Sequence, residues 1–449
     1  MIRQHLAKVL LFSSFLLMSV GCSEFKLKSQ FLNGNNNSNS VSGAANLVSY
    51  ELINDIPEQT LKDYIEENDL PDLLKDAIKI RRVDLYKVIY QTADAAGNTV
   101  NASGLLLVPK RKKKARLMSF HNWTLQYSQR NLAPSKGENV FINGMALIAN
   151  LGFFVSIPDF VGFGNTENSD HYYMVSQLQA QVAHDMLTAS KAVIEQLNKQ
   201  IDDGDGIFLA GYSRGASVSM ALHKYIESLP NPDFEIAVSS VGGGAYDLTD
   251  VFAKIFQQGS HPQPELISWA LQSHIDAYSV NLTSADIYLS PYDAYDSQFY
   301  GGDLNLPESL TQIFKQEFMD GVINGTYVEM TDALDESYSI NFETNAEIYM
   351  FHGKNDSYIP IESAYTARDT LRSFSNEVTF WEDDSDHEEG IPRFVAVTLL
   401  AYLKTVVEWS PLDTLTDIFL PENISLKTQS LDREYFLRKV DQIEDQLKN

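Results

Sequence analysis

Five residues, Gly211-Tyr212-Ser213-Arg214-Gly215, put a serine where its hydroxyl could act as a nucleophile. They stand between an apolar strand-like run, Gly206 to Ala210, and a helical run, Ala216 to Leu222. In strand–turn–helix context the G-x-S-x-G spacing makes a turn so sharp that the serine backbone is strained and its hydroxyl stands clear. Gly211 and Gly215 remove the Cβ atoms that would clash where strand and helix pack. The helix begins just after Ser213, so its first N–H groups point toward the reacting centre.

A serine hydroxyl is a poor nucleophile at neutral pH. It needs a base, the base needs an orienting acid, and the oxyanion that forms needs hydrogen-bond donors. In this turn context the chain order is serine, acid, histidine, each at a strand's C-terminal end. Downstream, a strand-like run from Glu347 to Phe351 leads into His352-Gly353-Lys354-Asn355-Asp356, and Asp356 is the candidate acid. His352 precedes that acid, the wrong order for the base, and is expected to satisfy backbone groups. A further strand-like run, Val378 to Trp381, leads into an acidic loop holding His387, the sole histidine C-terminal to Asp356 and hence the candidate base. Asp384 is the alternative acid, and Asp386 is too near His387 to reach its far nitrogen. The oxyanion donors are expected to be the N–H of Arg214 and one from the loop His121-Asn122-Trp123-Thr124, with Trp123 preferred and Asn122 second.

The elements that must position these groups alternate. A β-rich pair, Val83 to Tyr90 and Val100 to Val108, is joined by the hairpin signal Ala95-Ala96-Gly97-Asn98. Further strands are expected at Ala115 to Phe120, Gly152 to Ile157, Gly206 to Ala210, Phe234 to Ser239, Glu347 to Phe351 and Val378 to Trp381. Helical runs separate most of them, near 136–150, 174–198, 215–228, 361–373 and 391–408, and another covers 56–80. That alternation predicts an α/β fold with a mostly parallel, eight-stranded sheet and helices on both faces. Residues 245–345 break it, with helical runs at Leu248 to Gln257, Glu265 to Tyr278, Pro307 to Val322 and Tyr327 to Leu334. An insertion of this kind near the strand ends is a candidate cap. The expected organisation is a signal segment at 1–21, a tether at 22–47, a core at 48–244 and 346–411, a helical cap at 245–345 and a helical tail at 412–449.

The 449 residues carry a net charge of −26, which argues against nucleic acid as a partner. The basic run Lys110 to Lys114 reads first as a solvated turn and second as an anionic-membrane contact. One cysteine, Cys22, excludes an intrachain disulfide. It follows a positive start, Arg3 and Lys8, and an apolar stretch too short to span a bilayer. Ser19-Val20-Gly21-Cys22 resembles a bacterial lipobox, which would lipidate Cys22 and anchor the chain to the cell envelope, at the outer membrane, periplasm or cell surface. The acidic loop at 202–206 lacks calcium-loop spacing, no Cys/His cluster points to a metal, and no glycine pattern points to a dinucleotide; no cofactor is expected.

These residues resemble the α/β-hydrolase superfamily over roughly 80–405 and, within it, the secretory lipase and bacterial lipoprotein esterase group. The resemblance is carried by Phe120-His121-Asn122-Trp123, Ala133-Pro134-Ser135, the stretch Pro158 to Gly164, the serine turn, His352 to Asp356, and His387. Asn122 replaces the glycine of a common H-G pair, and Ala216 stands where relatives often carry a further glycine. The resemblance implies hydrolysis of carboxylic esters, of small-molecule or lipid type, through an acyl-enzyme beneath a helical cap, with Asp159 structural. Two alternatives remain: a serine peptidase of prolyl-oligopeptidase type, disfavoured because no large β domain precedes the first strand, and a hydrolase-fold binding protein without catalysis.

Overall fold

The computed structural model describes residues 46–409 apart from 68–79, 111, 138–140, 203 and 205. The expected signal segment, Cys22, nearly all of the tether, the end of the 56–80 helical run and the 412–449 tail lie outside the described residues.

The strands are β1 (Leu47–Ile56), β2 (Val83–Ala93), β3 (Thr99–Pro109), β4 (Lys114–His121), β5 (Phe153–Pro158), β6 (Gln200–Ile201), β7 (Ile207–Tyr212), β8 (Ile236–Gly242), β9 (Glu347–Gly353) and β10 (Val378–Asp383). They run in the order β1-β2-β3-β5-β4-β7-β8-β9-β10, with β6 pairing β4. From β5 to β10 the main ladder is parallel, and β1, β2 and β3 add an antiparallel edge.

The described sheet therefore has ten strands where eight were expected. The two additions are β1 and the two-residue β6. β1 is an edge strand that buries little beyond Ile56, so its sequence carries no strong apolar alternation and only its pairing with β2 defines it. β6 is two residues beside the start of β4 and has no pattern to read.

The helices are α1 (Glu58–Glu67), α2 (Phe141–Asn150), α3 (Ser176–Gln196), α4 (Arg214–Ser228), α5 (Leu248–Gln258), α6 (Pro264–Tyr278), the single turn α7 (Ser284–Ile287), α8 (Gln316–Ile323), α9 (Val328–Asp335), α10 (Ile361–Ser373) and α11 (Gly390–Trp409). Successive strand residues face opposite sides of a sheet, and the core divides accordingly. Phe153, Val155, Phe208 and Ala210 join a cluster with α1, α2 and α11, whereas Phe154, Ile207 and Leu209 join one with α3 and α4. Both faces of the central strands are thus dry.

Helices α5, α6, α8 and α9 lie between β8 and β9 in sequence and share an apolar cluster built on Phe252, Phe256, Trp269, Phe314, Phe318 and Met330. Only the latter half of the expected 307–322 helix forms an α-helix, with a short 3-10 turn at Leu310–Gln312 before it. The same cluster takes in Leu125, Phe163, Tyr173 and Met174 from loops of the α/β unit. The inserted helices are therefore seated on the core by apolar burial, the dominant favourable term in such packing. Among the described residues no helix is long and apolar enough to cross a membrane, and no cluster of three His, Cys, Asp or Glu side chains could hold a metal.

Candidate active site

Strand β7, buried throughout, delivers Ser213 at φ +57° and ψ −125°, a region that non-glycine residues rarely adopt. Its neighbours make that conformation the available one. The Ser213 N–H donates to Gly242 O at 2.8 Å. A Cβ on Gly211 would run into the Gly215 carbonyl oxygen, and one on Gly215 into the His121 carbonyl oxygen. The turn can close against β4 because both positions lack side chains.

The parallel strands deliver the partners to the same end of the sheet. Ser213 Oγ lies 2.9 Å from His387 Nε2, and His387 Nδ1 lies 2.7 Å from Asp356 Oδ2. The carboxylate can only accept, so Nδ1 carries the proton, and Nε2 of the neutral ring is free to accept from the serine hydroxyl. Asp356 Oδ1 accepts from the N–H groups of Tyr358 and Ile359 at 2.9 and 2.8 Å. Burial opposes ionisation of this carboxyl, but the hydrogen bond and charge of His387, the nearby His352 and the Ile359 N–H together hold it below its ordinary value. The acid and base loops are tied to each other, with Lys354 N–H on Asp383 O and Asn355 N–H on Ser385 O.

His352 donates from Nε2 to Ile359 O at 2.8 Å, the backbone role its place in the chain suggested. Asp384 is exposed and pairs with Lys354 at 3.2 Å, so it does not reach His387. Asp386 accepts from the Glu388 and Glu389 N–H groups and shapes the turn before α11. Asp159 is buried and accepts from Ser103 Oγ at 2.5 Å and the Ser135 N–H at 2.9 Å, which ties β3 to the turn at Pro134–Lys136.

Arg214 opens α4, where the first N–H groups of a helix have no intrahelical acceptor. Asn122 is buried and Trp123 half-buried just past the end of β4, and the Trp123 ring meets Phe141 edge-on at 5.3 Å. The Asn122 side chain donates to Trp123 O at 3.1 Å, and its own carbonyl accepts from the Arg214 guanidinium at 3.3 Å. Both expected donor segments thus flank Ser213.

Three neighbours of His387 were not singled out from sequence. The Tyr212 hydroxyl donates to His387 O at 2.7 Å. Tyr358 stacks on the His387 ring, with centroids 4.7 Å apart and planes 23° apart. His261, from the turn between α5 and α6, lies 3.2 Å from Tyr358 O and links the inserted helices to the acid loop. Tyr212 and Tyr358 each lie within two residues of a predicted site residue, and that proximity was the one available signal; nothing local marks His261.

A sequence-family model for secretory lipases matches residues 136–399, well over half the chain and a span holding Ser213, Asp356 and His387. No curated protein is significantly similar in sequence. Among solved structures, a putative hydrolase from Legionella pneumophila is similar at TM-score 0.69 and 20% identity, over 82% of this chain and 100% of that one. The rice cell wall degrading esterase LipA from Xanthomonas oryzae is similar at TM-score 0.67 and 17% identity, over 80% and 98%. Candida antarctica lipase A in its closed state follows at TM-score 0.58 and 14% identity, over 90% and 91%. At such identities the likeness is one of fold, and that fold is the α/β-hydrolase. With the family match across its core, the chain belongs to the secretory lipase family and is a hydrolase acting on ester bonds.

Proposed function

We propose that this chain is a serine carboxylic ester hydrolase that works through an acyl-enzyme on Ser213. The observation that carries this reading is the unbroken hydrogen-bonded line from Ser213 Oγ through His387 to Asp356, at 2.9 and 2.7 Å. Ser213 Oγ attacks the ester carbonyl carbon while its proton passes to His387 Nε2. The carbonyl electron pair moves onto oxygen, which the Arg214 and Trp123 N–H groups receive, with Asn122 as the alternative second donor. Collapse expels the alcohol, which takes the proton from Nε2. Water then attacks the acyl carbon, gives its proton to Nε2, and the acid leaves as the proton returns to Ser213. Asp356 holds the imidazole in the Nδ1–H tautomer and stabilises the imidazolium. A small-molecule or lipid ester suits the family.

The cell envelope of a bacterium is the proposed site of action, with Cys22 as lipid anchor. Strand β1 pairs Leu47 with Tyr90, β3 pairs Ala102 with Tyr90, and β3 pairs Gly104 with Pro158 at the carboxyl end of β5. The described chain therefore starts at the end of the sheet that carries Ser213. The basic turn lies at the opposite end, where Lys199 Nζ donates to the carbonyls of Pro109, Lys110 and Lys112 and Lys114 pairs with Asp202. That supports a solvated turn and leaves the lipid as the membrane contact.

Labelling with a fluorescent alkyl phosphonate tests the catalytic reading. Wild type is expected to label at Ser213 and Ser213→Ala not at all. An unlabelled wild type, or equal labelling of the variant, ends it.

A further inference from the structure

The reaction proposed above uses the backbone N–H of Arg214 but not its side chain, and that side chain is unusual. Arg214 is 3% exposed, and among the described residues no carboxylate pairs with its guanidinium. Its polar partners are all neutral: His171 Nε2 at 3.3 Å, Asn122 O at 3.3 Å and Asn122 Oδ1 at 3.5 Å. Its Nε finds no partner, and its carbon centre lies 4.5 Å from the Phe160 ring centroid. Burying a cation without a counter-ion is costly, and a fold keeps such a group most readily at a functional site.

His171 is built to receive this cation. Its Nδ1 donates to Val161 O at 2.7 Å, which leaves Nε2 as a lone-pair acceptor facing Arg214 at 3.3 Å and the Gln179 amide at 3.4 Å. Burial and the neighbouring guanidinium pull its pKa down to about 3, so the ring stays neutral across the working range. Trp269 of α6 donates to the His171 carbonyl at 3.0 Å and stacks on Tyr173 at 4.6 Å, closing the seat from the side of the inserted helices. From this seat the guanidinium reaches across to Asn122, one residue before the preferred second oxyanion donor. The segment carrying Arg214 N–H and the segment carrying Trp123 N–H are joined through this one side chain.

We propose that the Arg214 guanidinium, seated on neutral His171, is a positioning group for the oxyanion hole: it holds the Asn122–Trp123 segment against the serine turn and keeps an uncompensated positive charge beside the place where negative charge develops. This rests on the Ser213 acyl-enzyme reading. Low local dielectric makes such a charge count more than it would in water, and its orientation is set before reaction, so no reorganisation is required. The charge has no partner in the resting site, so its stabilisation is selective for the tetrahedral intermediate over the neutral ester.

Arg214→Met and Arg214→Lys, assayed on an aryl ester with active sites counted by phosphonate titration, test it. The Met variant is expected to lose kcat about ten- to a hundredfold per titrated site, with KM within about twofold. Its Tm should be unchanged or higher, because an unpaired buried charge has been removed. The Lys variant, which keeps the charge and loses the fork, should fall between Met and wild type in kcat. Wild-type kcat per titrated site in either variant overturns the proposal. So does a Met variant that fails to fold alongside a Lys variant with wild-type kcat, which assigns the guanidinium to the fold. If wild-type enzyme is not labelled at Ser213, the parent reading fails and this proposal falls with it, whereas a labelled wild type with unaffected variants overturns this proposal alone.

Discussion

Asp356→Asn is the sharpest perturbation of the proposed relay, because the structure dictates how the new amide must sit. Asp356 Oδ1 accepts two backbone N–H groups, at 2.9 and 2.8 Å, so the Asn oxygen must occupy that place. The amide NH2 then takes the position of Oδ2, 2.7 Å from His387 Nδ1 in the wild type. Facing a donor, Nδ1 becomes the acceptor and the ring proton moves to Nε2, where it can no longer receive the Ser213 proton. Flipping the amide would restore the tautomer but leave two buried N–H groups unpaired, at about 1–3 kcal/mol each. A total of roughly 2–6 kcal/mol, at about 1.4 kcal/mol per decade, leaves a competent fraction between about one in thirty and one in 10⁴. The expected loss in kcat is therefore about 30-fold to about 10⁴-fold, the upper end matching the Asp-to-Asn effect in other serine triads. The backbone hydrogen bonds survive, so the variant should fold. Folding stability carries a second readout. Burial raises the Asp356 carboxyl pKa, but the His387, His352 and Ile359 contributions bring the net value below the ordinary one. Its ionised form therefore stabilises the fold above the unfolded pKa near 4, and that contribution disappears as pH falls through the lower folded value. The stability gap between wild type and variant should narrow on acidification below about pH 4. Burst kinetics on an aryl ester and urea titrations between acid and neutral pH measure both. A kcat above about a tenth of wild type would refute the fixed-amide geometry.

Glu265, near the start of α6, has its carboxyl pushed by burial from 4.5 up to about 7. The folded state keeps a proton that the unfolded chain has released, so stability should fall as pH rises from about 4.5 to about 7. Glu265→Gln should flatten that part of the urea-midpoint profile, and an unchanged slope would show that Glu265 does not set it. For the envelope reading, Cys22→Ser should move active enzyme from the membrane to the soluble fraction of the producing cells. Membrane retention of that variant would remove Cys22 as the anchor.

The serine turn was legible because its requirements are local. A sharp strand-to-helix junction needs glycine where β7 and α4 approach, and Gly211 and Gly215 stand at those places. Asp356 and His387 were legible through chain order, since parallel strands deliver their carboxyl ends to one edge. Strand β1 was missed because an exposed edge strand needs no apolar alternation. His261 and His171 were missed for a related reason: each acts through a partner distant in sequence, Tyr358 and Arg214, and no spacing rule brings them together.

By itself, the sequence determined the glycine-flanked serine turn, the chain order of the acid and histidine that follow it and the alternation that makes a parallel sheet, because these depend on local sterics and on the period of apolar residues. The tertiary structure alone decided the rest. It set which histidine nitrogen faces which oxygen, which loop N–H groups pin Asp356, and how the inserted helices lean on the serine site. It also buried the Arg214 side chain among neutral groups, something its exposed-looking place in a polar turn does not suggest. Burial, hydrogen-bond direction and local dielectric belong to groups drawn from five or more separated segments, and such properties exist only once those segments have packed.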